Sequence, residues 1–310
     1  LAALRDQVVA TIGDSLRSRA GILSRRRPVP RRTRRPANND AYVLALVGKR
    51  ELNQRNQDLK GSIGHFRQAI ELDSLSAEAW SGLSLALALA PNYRGAAADS
   101  VAPVVIRSAR RALQLDPSLA EPHVALGLVL SRNFQWERAE AELKTAIDID
   151  PRDVEARVQY GRLLMFRGRL AEAFRELRKA RDADPASALV LSWLSFAWYV
   201  GGQMDSALVE SARAMESNPS NLSAVCFRAM ILAAVGQKAE ARQLLEKFPH
   251  YNPLGLYALA LAGDARAVRA RLDTIASVPS TTSTPQTARA FAMLGLGDTA
   301  QALDALERAT

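Results

Sequence analysis

Residues that usually carry out catalysis are scattered through this sequence rather than grouped. The three histidines, His65, His123 and His250, lie far apart, and the single cysteine, Cys226, has no histidine at the spacing of a zinc ligand pair. The glycine-containing run 295–298 resembles a phosphate-binding loop in composition, but it lies where a turn between helices is required. Metalloprotease, nucleotide-binding and hydrolase motifs do not occur in the sequence. The sequence therefore predicts no catalytic residue, no metal site and no cofactor.

A repeat of constant length organises most of the chain. Proline recurs at one fixed interval, each time after an aspartate or asparagine, at positions 117, 151, 185, 219 and 253. Proline disfavours helical geometry in the residue before it and suits the start of the next helix, so each pair marks a break between helices. Small residues recur in phase, namely Ala139, Ala173, Ala207 and Ala241; Ala112, Ala146, Ala180 and Ala214; and Gly127, Gly161, Ser195 and Ala229. Because small side chains let helices approach closely, the period predicts an array of helical hairpins.

These columns resemble the tetratricopeptide repeat (TPR) family, whose unit is about 34 residues long. One unit reads Leu126-Gly127, Ala139 and Pro151 in the order of the family's pattern, with His123 where the family usually has tryptophan. The units that follow keep the same register up to the proline at position 253. The resemblance implies an all-α fold, namely an α-solenoid of about seven to eight TPR-like hairpins wound into a right-handed superhelix.

The resemblance divides the chain into three parts. Residues 1–23 form an amphipathic stretch and are predicted to be a helix, residues 24–40 form a basic linker, and residues 41–310 form the solenoid. The run 4–10 also resembles the junction that leads into TPR repeats in bacterial sensory regulators, Ser/Thr kinases and adenylate cyclases. The predicted hairpins occupy approximately residues 41–74, 77–117, 118–151, 154–185, 188–219, 222–253, 256–277 and 284–310.

Positive charge is concentrated ahead of the repeats. Residues 1–40 contain ten arginines and three aspartates, so they hold +7 of the net charge of +9. Prolines among these arginines favour an extended linker. Seven arginines are the predicted contacts with a membrane or an acidic partner: Arg25, Arg26, Arg27, Arg31, Arg32, Arg34 and Arg35.

Three interpretations of this basic linker stay open. It could be a tether whose charge only keeps the chain soluble. Alternatively, it could contact an anionic membrane, where each arginine adds about 1 kcal/mol, or an acidic subunit of a membrane complex, respiratory or photosynthetic for example. Nucleic acid is the least favoured partner, because no aromatic residue is interleaved with the arginines and no groove-reading motif is present.

The sequence predicts a location at the periphery of a bacterial membrane. Its longest apolar stretch, residues 189–200, is shorter than the roughly 20 residues that a spanning helix requires. The chain begins at Leu1 rather than at methionine, which predicts that a further segment preceded it. The resemblance to sensory proteins favours the extracytoplasmic side.

The TPR resemblance also implies a binding face. In that family the first helix of each hairpin lines the concave face at about its second, fifth, ninth and twelfth positions. The predicted partner contacts at these positions are Glu121, Val124, Leu128 and Ser131; Glu155, Val158, Arg162 and Met165; Leu189, Ser192, Phe196 and Tyr199; and Ser223, Cys226, Met230 and Ala233. The apolar and aromatic middle of this set predicts that a helix or an extended peptide of a partner protein binds there. The alternative is that Phe196 and Met230 fill space between neighbouring hairpins.

These features predict a non-enzymatic scaffold or adaptor that binds other proteins, in one form as an extrinsic subunit that stabilises a larger membrane complex. The alternative is a sensory or regulatory module of a signalling protein whose effector domain lies upstream. A third interpretation is an enzyme whose catalytic domain precedes Leu1.

Overall fold

The computed structural model describes residues 38–54, 59–92, 98–246, 253–277 and 284–308. The predicted N-terminal helix and the seven arginines of the basic linker lie outside these residues. The described residues contain no strand and form sixteen α-helices: α1 (Asn39–Gln54), α2 (Lys60–Leu72), α3 (Ala77–Leu89), α4 (Ala98–Leu115), α5 (Glu121–Arg132), α6 (Trp136–Ile149), α7 (Val154–Phe166), α8 (Leu170–Ala183), α9 (Ala188–Val200), α10 (Met204–Ser217), α11 (Leu222–Ala234), α12 (Lys238–Glu246), α13 (Pro253–Leu261), α14 (Ala265–Ser277), α15 (Thr284–Gly295) and α16 (Thr299–Glu307).

Consecutive helices pair into eight hairpins, from α1 with α2 to α15 with α16. The first helix of each hairpin also contacts the first helix of the next, so the odd-numbered helices form a continuous array that we call the first-helix layer. Near the C-terminus the pairing changes, because α13 contacts α15 more extensively than it contacts its own partner α14. The all-α solenoid predicted from the repeat is confirmed.

The repeat prolines lie mainly in the turns between hairpins. After Pro151 the next helix begins three residues later at Val154, and Asp153 caps it by accepting a hydrogen bond from the backbone N–H of Ala156 at 3.1 Å. Capping by a carboxylate satisfies one of the free N–H groups of the first helical turn. Pro151 therefore lies in the turn ahead of α7, whereas Pro253 is the first residue of α13.

Two glycines of the small-residue column lie where the two helices of a hairpin approach each other closely. A Cβ atom built on Gly127 would lie 2.7 Å from Cγ of Leu143, and one built on Gly161 would lie 2.9 Å from Cγ of Leu177. Both leucines are fully buried in the partner helix of the same hairpin. A larger residue would force the two helices of the hairpin apart, which explains the small residues in this column.

From the third hairpin to the eighth, the turn between the two helices of the hairpin contains one residue with a left-handed backbone conformation. Gly168, Gly202 and Gly236, which occupy the same position in three successive repeats, have φ values of 73°, 74° and 89°. In the third hairpin the same position is Phe134, with φ at 56° and an exposed ring. Its ring lies edge-on to that of Trp136, with the ring centres 5.4 Å apart. Phe134 is thus the one member of this column that adopts the left-handed conformation with a bulky side chain.

A buried ion network joins the third hairpin to the fourth. The Glu140 carboxylate, whose side chain is 11% exposed, accepts hydrogen bonds from the Tyr160 hydroxyl at 3.0 Å and from Arg167 and Arg169 at 2.9 and 2.8 Å. Nζ of Lys144, on the same helix, lies 2.8 Å from Oε1 of Glu140. Burial disfavours the charged carboxylate, but the hydrogen bonds from Lys144, Arg169 and Tyr160 together lower the pKa of Glu140 to about 2.

Candidate partner-binding face

The predicted groove residues divide into two groups by their burial. Every side chain at the fifth position of its helix is buried, and so are some at the ninth and twelfth positions. These buried residues are Val124, Val158, Ser192, Cys226, Leu128, Met230 and Ala233. They pack between helices and offer almost no surface to a partner.

The remaining predicted residues are half-buried and together form the surface that the first-helix layer exposes at these positions. They are Glu121, Ser131, Glu155, Arg162, Met165, Leu189, Phe196, Tyr199 and Ser223. That any of them contacts a partner stays a prediction. The sequence could not separate the two groups, because burial depends on how closely the next hairpin covers each helix.

Aromatic rings connect the predicted residues across successive hairpins. The Arg162 guanidinium on α7 lies 4.4 Å from the centre of the Trp193 ring on α9. Trp193 in turn contacts Phe227 on α11 edge-on, with centres 4.9 Å apart, and Phe227 stacks on Phe196 at 4.6 Å. Trp193 and Phe227 are buried, whereas Phe196 is half-buried. The half-buried ring of Phe196 therefore packs against the buried ring of Phe227, which in turn packs against Trp193.

The row of rings continues towards the C-terminal end of the described residues. Phe196 lies beside Tyr199, with ring centres 6.1 Å apart, and the hydroxyl of Tyr199 interacts with that of Tyr257 on α13. Burial and the neighbouring Tyr257 raise the pKa of Tyr199. Tyr257 then contacts Phe291 on α15 edge-on at 6.4 Å. We call this set the aromatic ladder, and its members are Trp193, Phe196, Tyr199, Phe227, Tyr257 and Phe291.

Four rings of the aromatic ladder were missed by the sequence prediction, namely Trp193, Phe227, Tyr257 and Phe291. A signal for them does exist in the sequence. Trp193 and Phe227 are separated by one repeat period, and so are Tyr257 and Phe291. Aromatic residues in phase with the repeat come into register on neighbouring first helices, so the period itself could have found them.

The N-terminal part of the face is polar instead of aromatic. Glu121 on α5 forms an ion pair with Lys49 on α1 at 2.7 Å and accepts a hydrogen bond from the Ser81 hydroxyl at 2.9 Å. These contacts join the first helices of three hairpins, and they extend from the exposed Lys49 to the buried Ser81. Glu121 is therefore a structural link as well as a predicted partner contact.

Asp153, a second carboxylate near the N-terminal part of the face, has a raised pKa. Burial of Asp153, the cap of α7, raises its pKa to about 6, and the carboxylates of Glu155, Glu121 and Asp150 add to the increase. The hydrogen bond from the Ala156 N–H opposes this shift and does not cancel it. At neutral pH the folded protein must therefore hold a buried charge close to three others.

Replacing Asp153 by asparagine is expected to stabilise the protein at pH 8. The amide oxygen still accepts the capping hydrogen bond, while the buried negative charge is removed. Because the pKa is higher in the folded state, protonated Asp153 favours folding below about pH 4, and this contribution is lost as the pH rises through about 6. We expect the variant to gain about 1 to 2 kcal/mol at pH 8 and close to none at pH 4, measured by urea unfolding. A gain of equal size at both pH values would show that the charge is not responsible.

The histidines in the described part of the chain form polar contacts within single hairpins. Nδ1 of His123 lies 2.7 Å from Glu142, and Nδ1 of His65 lies 3.0 Å from Glu51. Cys226 is buried, and burial raises the pKa of its thiol to about 12, which keeps the thiol protonated. His250 lies outside the described residues. In the described part of the chain, no helix is both long and apolar enough to cross a membrane, and no three potential metal ligands lie together.

Comparisons with known proteins identify the fold. Residues 130–195 match the family model of the tetratricopeptide repeat. A thermophilic TPR protein of Thermus thermophilus is similar over 62% of this chain and 98% of its own, with 17% identity and a TM-score of 0.51. The human IFIT1 dimer, solved with m7Gppp-AAAA, is similar over 87% of this chain and 71% of its own, with 14% identity and a TM-score of 0.61. No curated protein sequence matches the chain. The constant repeat period, the stacked hairpins and the match over residues 130–195 lead to one conclusion: the described part of the chain has the fold of tetratricopeptide repeat proteins.

Proposed function

We propose that this protein is a non-enzymatic scaffold that binds a helix or an extended segment of a partner protein along the first-helix layer. The TPR fold supports a role in protein–protein interaction. The observation that carries the proposal is the aromatic ladder, because it places half-buried rings on the first helices of the fifth, seventh and eighth hairpins. Such rings offer a partner apolar contact area. Because buried rings hold them in place, they lose little side-chain conformational entropy when the partner binds.

The face has two chemically distinct halves, and the partner segment should match them. Around α9 to α13, Phe196, Tyr199 and Tyr257 favour an apolar or aromatic anchor residue. Around α5 and α7, the carboxylates of Glu121 and Glu155 favour a basic residue on the same segment. The charge difference between the halves would fix the direction in which the segment lies.

More specifically, we propose that the protein is an extrinsic subunit of a bacterial membrane complex. The arginines at positions 25–35 would contact anionic lipid or an acidic subunit, and the net charge of +7 on residues 1–40 supports this placement. The alternative function is a sensory or regulatory module. The run 4–10, with its resemblance to the junction of sensory regulators, favours that alternative.

Site-specific photocrosslinking in the cells that make the protein tests the proposal. A photoreactive phenylalanine analogue at Phe196 or at Tyr199 should crosslink the same single partner. The matched control is Val209, which is 52% exposed on the second helix α10 and should give no such product. Equal crosslinking from Val209, or no product from either groove position, would contradict binding along the first-helix layer.

Fractionation of the same cells distinguishes an extrinsic membrane subunit from a regulatory module. If the chain is an extrinsic subunit, the crosslinked product should sediment with membranes and be released by high salt, because screening weakens contacts between arginine and lipid. A product that stays in the supernatant at low salt would favour the regulatory module.

A further inference from the structure

The helix α1 carries a group of large apolar side chains at its surface. Tyr42, Val43, Leu46 and Val47 are between 36% and 55% exposed. They belong to two successive turns of the helix, so they lie next to one another on one side of it. Single apolar residues are common on protein surfaces, whereas a contiguous group of them indicates an interaction site.

Gly48 aligns α1 with the first helices of the later hairpins. A Cβ atom built on Gly48 would lie 3.1 Å from Cε1 of Phe66, which is buried in the second helix of the same hairpin. Gly127 faces Leu143 of its own hairpin in the same way. Gly48 therefore has the position in α1 that Gly127 has in α5, and the other residues of α1 are matched by counting from it.

This alignment places exposed residues of α1 in columns that are buried elsewhere in the array. Val43, Leu46 and Arg50 are exposed, but all their counterparts from the third hairpin to the sixth are buried. The counterparts are Pro122, Ala156, Val190 and Ala224; Ala125, Gln159, Trp193 and Phe227; and Val129, Leu163, Ala197 and Ile231.

The preceding hairpin contributes to the burial of these columns. Phe227, a counterpart of Leu46, contacts Trp193 and Phe196 on the preceding first helix, and Trp193 contacts Arg162 on the first helix before that. In the part of the chain that the structure describes, no hairpin precedes α1. This side of α1 is therefore a surface of the kind that another helix covers in the rest of the array. We call it the α1 face, and its members are Asp40, Tyr42, Val43, Leu46, Val47 and Arg50.

The charges on the α1 face make it complementary to itself. Asp40 lies in the first turn of α1 and Arg50 in its second half, both are exposed, and neither forms an ion pair within the described residues. Asp40 and Arg50 are equally far from position 45 along the helix, and so are Val43 and Val47. An antiparallel pair of α1 helices would place each Asp40 opposite the Arg50 of the other copy, with Leu46 near the centre. A parallel pair would place like charges opposite each other.

We propose that the α1 face binds the α1 face of a second copy of this chain, forming an antiparallel dimer about a two-fold axis. In such a dimer both copies present the same surface, so the surface has to complement itself. One helix per copy covers less than the roughly 800 Å² per partner of a standard interface. The dimer should therefore be weak, with a dissociation constant of about tens of micromolar. Because the α1 face does not include the aromatic ladder, its failure would leave the proposed partner-binding function untouched.

Sedimentation velocity of the whole chain measures this association. Salt at about 0.15 M screens the repulsion between two copies that arises from the net charge of +7 on residues 1–40. Under these conditions the wild type should change from monomer to dimer as its concentration rises through the dissociation constant. Leu46→Glu should weaken the dimer at least tenfold, because it places an unpaired charge at the centre of an apolar contact.

Leu303→Glu is the matched control for Leu46→Glu. Leu303 is 61% exposed on α16, in the last hairpin of the array, so this variant should dimerise like the wild type. If Leu303→Glu weakens association, or if species larger than a dimer form, the copies associate head to tail and the proposal is wrong.

Exchanging the two charges tests whether the occupant is a second copy. Asp40→Arg and Arg50→Asp each place like charges opposite each other, so each variant alone should dimerise about tenfold more weakly than the wild type. A one-to-one mixture should regain the wild-type affinity, since every arginine of one variant then faces an aspartate of the other. Thermal unfolding followed by circular dichroism checks that each variant folds. If the wild type stays monomeric, or if the mixture is as weak as the separate variants, a different protein or another part of this chain covers the α1 face and the proposal is wrong.

Discussion

Replacing Phe227 by alanine is expected to lower the free energy of unfolding by about 3 to 5 kcal/mol, since the ring is fully buried and its removal leaves a cavity. The side chain is 1% exposed and contacts both Trp193 and Phe196 on the preceding first helix. In a repeat array each hairpin is stabilised by its neighbours, so the loss should act on the interface between the fifth and sixth hairpins. Urea unfolding followed by circular dichroism measures the total loss of unfolding free energy.

Two matched variants test whether the packing explains this effect. Phe196→Ala removes the same chemical group from a half-buried position, so it should cost clearly less stability and should weaken partner crosslinking more. Val209→Ala on the exposed side of α10 should change stability by no more than about 0.5 kcal/mol. A loss below about 1 kcal/mol for Phe227→Ala would mean that the ladder is loosely packed.

Replacing Glu140 by glutamine is the second substitution with a large expected effect. The change keeps the volume but removes the charge that Arg167, Arg169 and Lys144 share. We expect a loss of about 2 kcal/mol at pH 7, because hydrogen bonds to charged groups are worth about 1.5 to 3 kcal/mol and the partly exposed arginines regain some solvation. Glu137→Gln is the control, since that carboxylate is 78% exposed and, among the described residues, forms an ion pair with Arg167 only. The control should lose no more than about 0.5 kcal/mol.

The pH dependence of the unfolding free energy of wild type and Glu140→Gln tests whether the charge of Glu140 causes the loss. The folded-state pKa of Glu140 is lowered to about 2 from its ordinary value near 4.5. The stabilisation is therefore present in full above the unfolded-state pKa and disappears as the pH falls from about 4.5 towards 2. The difference in unfolding free energy between wild type and Glu140→Gln should shrink over that range. A difference that stays constant down to pH 2 would show that the carboxylate acts through packing alone.

The architecture could be predicted because the repeat is local and is carried by residues whose effects are steric. Gly127 and Gly161 are required by the leucines that face them, and the repeat prolines mark boundaries between hairpins at a constant interval. Even so, the sequence analysis did not identify the cap of α7, which is Asp153, two residues after Pro151.

The candidate face was harder to predict, because it depends on contacts between hairpins. Val124 and Val158 occupy positions that the family uses for partners, yet the neighbouring helices cover them completely. Phe227 is absent from those positions but supports Phe196 from beneath. Contacts of this kind depend on the distance and the angle between stacked helices, which a periodic pattern does not specify.

Phe134 has a consequence for how the array responds to heat. Its three counterparts in other hairpins are glycines, which adopt positive φ without steric cost, whereas a bulky residue there is disfavoured by roughly 1 to 2 kcal/mol. The edge contact with Trp136 returns only part of this, since such ring pairs are worth about 0.5 to 1.5 kcal/mol and this one faces water. The turn between α5 and α6 is therefore the least stable of these four turns. Unfolding that begins there would divide the solenoid into segments of unequal length.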